Sequence, residues 1–218
     1  MFFMLRGDMC LQIIENGMHK DVVIKEGEAF LLPSRVPHSP QRQADTLGLV
    51  IERERLLHEL DGMRFYIEGS TDILYERWFH CVDLGTQLKP IIEEFLSSEE
   101  AKTGRPGKNS LIETAPFEPD SKIKVMQPIN VTQWLKRQQI GLKLESGFFP
   151  LFKDIGLKSS VGFYGPGRHV ITTNNLSEMF LWQWVSRLKL LIPSTDDALF
   201  LDIYLDRKQK EKSRKMVL

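Results

Sequence analysis

Gly27, Pro33 and His38 punctuate the segment GEAFLLPSRVPHSPQR, residues 27–42, with five residues between the first two and four between the second and third. His38 lies between Pro37 and Pro40, so its imidazole is read either as a structural side chain or as a metal ligand. Metal binding by one imidazole is weak. Useful affinity needs two or three donors assembled on one face, with positions left open for substrate, as a two-His, one-carboxylate set does for ferrous iron.

Such donors must be held by strands, and the surrounding pattern is β. Leu11 and Ile13 lead into Asn16-Gly17, the signature of a type I′ hairpin turn, followed by a second apolar run over residues 22–25. Residues 29–32, 46–52 and 63–67 read as further short strands between Pro and Gly punctuation, a spacing that predicts a sandwich or barrel. Residues 72–81 and 88–98 carry apolar side chains at helical intervals and predict two flanking helices, with Pro90 acceptable only near a first turn.

Residues 101–122 hold three prolines and two glycines among polar residues and read as a linker. This divides the chain into residues 1–100, the linker, a second β unit over 123–205, and a charged tail over 206–218. Within the second unit, Asn130 or Thr132 is placed to cap a short helix to Gln138. Strand-like runs follow at 148–152, 161–164, 179–185 and 198–205. The tail, DRKQKEKSRK, has no apolar face and reads as solvated.

Composition excludes several classes. With 29 basic and 29 acidic side chains in 218 residues, no global field favours nucleic acid or an anionic membrane. Cys10 and Cys81 form neither a disulfide framework nor a CxxC zinc site, and no apolar stretch approaches a spanning helix, so a reducing, cytosolic compartment is expected. No GxSxG is present, which sets a nucleophilic hydrolase aside.

The Gly27, Pro33, His38 spacing is the skeleton of the second metal-binding motif of cupins, jelly-roll β-barrels. Arg35 stands where that motif usually has a second Gly, and Arg42 where it often has Asn. Read with DVVIKEGEAFLLPSRV, GLVIERER and ELDGMRFYIEGSTDILYERWFHCVDLGTQLKPIIEEF, the chain resembles the 3-hydroxyanthranilate 3,4-dioxygenases, cupins of the kynurenine pathway, from about residue 2 to about 199. The resemblance implies a cupin domain followed by a second, degenerate and incomplete cupin unit. It also implies a mononuclear Fe(2+), O2 as co-substrate, and opening of the 3-hydroxyanthranilate ring to 2-amino-3-carboxymuconate semialdehyde on the route to quinolinate and NAD.

By position, the resemblance makes His38 the last iron ligand, Arg42 the group that binds the substrate carboxylate, and Glu52 the catalytic and substrate-binding carboxylate that holds the polar ring substituents. A guanidinium fork suits a benzoate carboxylate, and a carboxylate accepts a proton or hydrogen bond from a hydroxyl or amine. The residues alone leave other readings open: Arg42 as a surface charge, and Glu52 as a strand-end carboxylate paired with Arg53 or Arg55.

The resemblance also implies that the first motif closes on Gly7, which puts its Glu and His ligands, and an Arg, upstream of Met1. The chain is therefore expected to be truncated at both ends and, alone, to hold iron poorly. His19, at a hairpin end, His58 and His80, in segments read as helical, and His169 are not expected to substitute. The competing readings are a non-catalytic cupin remnant that binds a small aromatic acid or a full-length copy, and another cupin enzyme, such as a sugar isomerase or thiol dioxygenase. No nucleic acid or membrane partner is expected.

Overall fold

The computed structural model describes residues 1–120, 122–144, 148–152, 161–164, 167–172, 188–191 and 198–203. Contacts divide the chain into two units, Met1–Val131 and Thr132–Leu218.

The first unit is mostly β. Its strands are β1 (Phe2–Arg6), β2 (Met9–Glu15), β3 (Met18–Ile24), β4 (Glu28–Phe30), β5 (His38–Arg42), β6 (Leu47–Val50), β7 (Asp61–Tyr66) and β8 (Ile73–Phe79). Two helices follow, α1 (Leu84–Ser97) and α2 (Glu99–Thr103), and then a short strand, β9 (Ile129–Asn130). Antiparallel pairing gives one sheet in the order β6-β1-β4-β9, another in the order β3-β2-β5, and the hairpin β7-β8. This is the strand-rich architecture of a cupin barrel.

Period-two patterning builds it. On β2, Met9, Leu11 and Ile13 are buried while Gln12 between them is exposed. On β3, Val22 and Ile24 face the same core. Phe2 and Met4 of β1 and Phe30 of β4 complete it from the facing sheet, with Val36 and Val125. Each such side chain contributes about 1.5–3 kcal/mol on burial. The β2–β3 turn takes the expected form: Asn16 and Gly17 have φ of 52° and 71°, the left-handed pair a type I′ turn requires.

Three readings are corrected. Residues 72–81 are not a helix but contain β8, paired with β7 through a turn in which Gly69 has φ 73°. Leu74, Tyr75 and Glu76 are buried in succession, so both faces of this strand are covered and the period-two signal disappears. The second helix begins a turn early, at Leu84, because the Asp83 carboxylate caps it by accepting from the Gly85 N–H at 2.9 Å. Pro90 then lies inside α1 rather than in its first turn. The helix is fastened by Phe95, which stacks on Phe65 of β7 with ring centroids 3.6 Å apart and leans against Tyr75 of β8. Finally, β1 and β5 had no strand signal of their own. β5 has five exposed residues around Pro40, which an edge strand tolerates because one of its N–H rows is unpaired.

In the second unit, α3 (Val131–Leu144) starts at the boundary and extends beyond the short helix expected. Three of the expected strand runs are present, the last of them over Ala198–Ile203, and the first two, β10 (Phe148–Pro150) and β11 (Gly162–Tyr164), pair with each other. A further sheet has the order β12-β14-β13, from Gly167–Thr172, Ala198–Ile203 and Leu188–Leu191. The run read at 179–185 and the charged tail at 206–218 lie outside the described residues.

Candidate functional site

The β2–β5 register decides which way the candidate residues of β5 face. Ile13 pairs with His38, Leu11 with Pro40 and Met9 with Arg42. Directly opposed residues in an antiparallel pair share a face. His38, Pro40 and Arg42 therefore share the face of the three buried core residues, whereas Ser39 and Gln41 share that of exposed Gln12 and half-buried Cys10. Both His38 and Arg42 are nevertheless exposed, so β5 presents a core-side face open to ligand.

His38 is oriented at both ring edges. Its Nδ1 lies 3.0 Å from the Val36 carbonyl oxygen, an atom that can only accept, so Nδ1 is the donor and, in the neutral ring, Nε2 is the nitrogen with the lone pair. The Phe2 ring meets the imidazole edge-on at 6.2 Å. A fixed tautomer with a free Nε2 is the form in which histidine binds metal.

Glu52 lies just beyond β6, in the other sheet. Phe2 pairs with Val50, and Met1 and Ile51 exchange backbone hydrogen bonds of 2.7 and 2.9 Å, so the ladder runs on to the edge of Glu52. Continuing the alternation, Glu52 falls on the face of Val50, which packs on the core. Its Oε2 accepts from Arg55 Nη2 at 3.2 Å. Of the two pairings left open by the sequence, the structure takes Arg55; Arg53 makes a bidentate pair with Glu59 instead, at 2.7 Å to each oxygen. The Arg42 side chain makes no hydrogen bond or ion pair with the described residues, which leaves its fork available.

Asp61 had no signal of its own in the sequence, and Arg55 only that of a possible partner for Glu52. Arg55 donates from Nε and Nη2 to the two oxygens of Asp61, at 2.9 and 3.1 Å. Burial alone would lower the Arg55 pKa, but the Asp61 hydrogen bond and charge, then Glu52, outweigh it and raise it. Cys81 lies in the same field, and burial pushes its thiol up. The other histidines serve elsewhere. His19 Nε2 lies 2.8 Å from the Ser70 carbonyl and His80 Nδ1 3.0 Å from the Glu59 carbonyl, while His58 is exposed in a turn. His80 follows strand β8 and is not helical, and the side chain of His169 lies outside the described residues.

Residues 1–96 match the family described as 3-hydroxyanthranilic acid dioxygenase. The match takes in the first 96 of the 218 residues. Among curated proteins, the chain is 55% identical over 140 residues to the 3-hydroxyanthranilate 3,4-dioxygenase of Xenopus tropicalis, covering 64% of this chain and 50% of that one. It is 48% identical over 183 residues to the Homo sapiens protein of the same name, covering 84% and 62% respectively. The Nematostella vectensis protein of that name is 45% identical over 183 residues, covering 84% and 64%. The chain thus spans about half the length of the first of these relatives.

The matched segment contains His38, Arg42, Glu52, Arg55 and Asp61, and it ends inside α1. Among the described residues no group of three His, Cys, Asp or Glu side chains is placed to hold a metal ion. No helix among them is long and apolar enough to cross a membrane.

Proposed function

We propose that the first unit is the aromatic-acid-binding part of a dioxygenase that opens the ring of 3-hydroxyanthranilate to 2-amino-3-carboxymuconate semialdehyde, a step toward quinolinate and NAD. Both atoms of O2 enter the product, so the reaction needs no outside reductant. His38 is this chain's contribution to an Fe(2+) site. The steps assigned to its other residues are binding and proton handling.

Arg42 grips the substrate carboxylate with two parallel hydrogen bonds, and Glu52 accepts from the ring hydroxyl or amine. The observation that carries the reading is the shared face of His38 and Arg42, two alternations apart on one strand, with Nε2 and the guanidinium both open. That spacing, roughly 13 Å between the two backbones along the strand, leaves room for an aromatic ring between the two side chains.

The test is a fluorescence titration of the metal-free protein with 3-hydroxyanthranilate. Arg42→Lys is expected to weaken binding about tenfold with the melting temperature unchanged, because an ammonium cannot reproduce the planar fork. Equal affinity in the two proteins overturns the assignment. A non-catalytic binder of the same acid would share these contacts. Iron content and substrate-dependent O2 uptake separate the two readings.

A further inference from the structure

The carboxylate of Glu52 is held by a guanidinium that is itself immobilised. Arg55 spends Nε and one Nη2 bond on Asp61, at 2.9 and 3.1 Å, and Nη1 on the Arg53 carbonyl oxygen at 2.7 Å. The remaining contact goes from Nη2 to Glu52 Oε2, at 3.2 Å. Asp61 is fixed in its turn as the first residue of β7, opposite Phe79 of β8. Arg53, the source of that carbonyl, is clamped to Glu59, whose carboxylate also accepts from the Leu56 N–H at 2.8 Å. The segment between β6 and β7 has no helix or strand of its own, yet these bonds tie it to a rigid hairpin.

We propose that Arg55, braced by Asp61, is a positioning residue for Glu52: it holds Oε2 and leaves Oε1 to receive the hydroxyl or amine of a 2-amino-3-hydroxybenzoate-type ligand. The proposal rests on the substrate-binding role given to Glu52 above. Arg55 does not touch the ligand. Its effect passes through the carboxylate it orients, which a free side chain would otherwise sample in several rotamers.

The prediction is non-additivity. In fluorescence titrations with 3-hydroxyanthranilate, Glu52→Gln is expected to weaken binding about tenfold, as the loss of a charged acceptor does. Arg55→Ala is expected to weaken it to a similar extent in the unaltered background and less than about twofold in the Glu52→Gln background. Asp61→Asn, which keeps the shape but releases the fork, provides a second route if Arg55→Ala does not fold; it should weaken binding severalfold and likewise be silent on Glu52→Gln.

Equal losses in both backgrounds would mean that Arg55 acts structurally or touches the ligand directly, and would overturn the inference. So would unchanged binding in Arg55→Ala and Asp61→Asn while Glu52→Gln is impaired. If Glu52→Gln itself binds as tightly as the unaltered protein, the role of Glu52 fails and this inference fails with it.

Discussion

Ile13 and His38 are direct partners across β2 and β5, so a fully buried side chain and an open imidazole share one face of the same sheet. Burial alone separates their energetic roles. Ile13→Ala should cost about 2–5 kcal/mol in urea unfolding, because it removes core methylenes and leaves a cavity. His38→Ala should cost less than about 0.5 kcal/mol, the range of exposed substitutions. A large loss at His38 would mean that its imidazole serves the core rather than a ligand.

Arg35 tests why the motif usually has glycine at its place. Its φ is 64°, the left-handed region, while its carbonyl accepts from the Asp120 N–H at 3.0 Å and its guanidinium lies 5.9 Å from the centre of the Phe117 ring. Arg35→Ala loses the ring contact and keeps the backbone cost. Arg35→Gly loses the contact and also relieves the cost. The glycine variant should therefore be the more stable of the two by about 1 kcal/mol in thermal or chemical unfolding. Equal stabilities would show that the loop relaxes around either residue.

The elements with local signals were the legible ones. Asn16-Gly17 announces its hairpin because only φ-permissive residues fit that turn, and β2 announces its buried face by strict alternation. β8 is hidden because three consecutive buried residues erase the period, although its partner β7 is legible as the strand run at 63–67. β5 gives no hydrophobic signal at all. Its candidate residues were found by motif spacing, and their common face only through register with β2. Arg55 and Asp61 were invisible as a pair because a bidentate contact across six residues of irregular chain leaves no periodic trace.

Glu15 should make folding pH-dependent. Its carboxylate accepts from Lys20 Nζ at 2.6 Å and from the Val125 N–H at 2.7 Å, which pins the 122–125 segment to β2. The Lys20 hydrogen bond, then that of Val125, holds its pKa below the usual carboxylate range. A depressed folded-state pKa gives stability that is present above the unfolded value of about 4.3 and is lost as pH falls through the folded value. Glu15→Gln should cost about 1 kcal/mol at pH 7, and the difference from the unaltered protein should shrink below about pH 4. A constant difference across that range would assign the effect to packing.

The pair Arg64 and Glu76 sets the largest single-site cost predicted for this unit. Their side chains are 11% and 4% exposed, Arg64 Nε donates to Glu76 Oε2 at 2.9 Å, and Oε1 accepts from the Ile112 N–H at 3.1 Å. The guanidinium also lies 5.4 Å from the Trp78 ring centre. Glu76→Ala removes the carboxylate and strands both a buried cation and a backbone donor, so it should cost about 3–5 kcal/mol. The double variant Glu76→Leu with Arg64→Met should recover most of that loss, because an apolar pair of similar volume carries no desolvation penalty. Urea midpoints of the single and double variants decide the matter. A double variant as unstable as Glu76→Ala would show that the ion pair contributes through its hydrogen bond to the 110–112 segment rather than through charge.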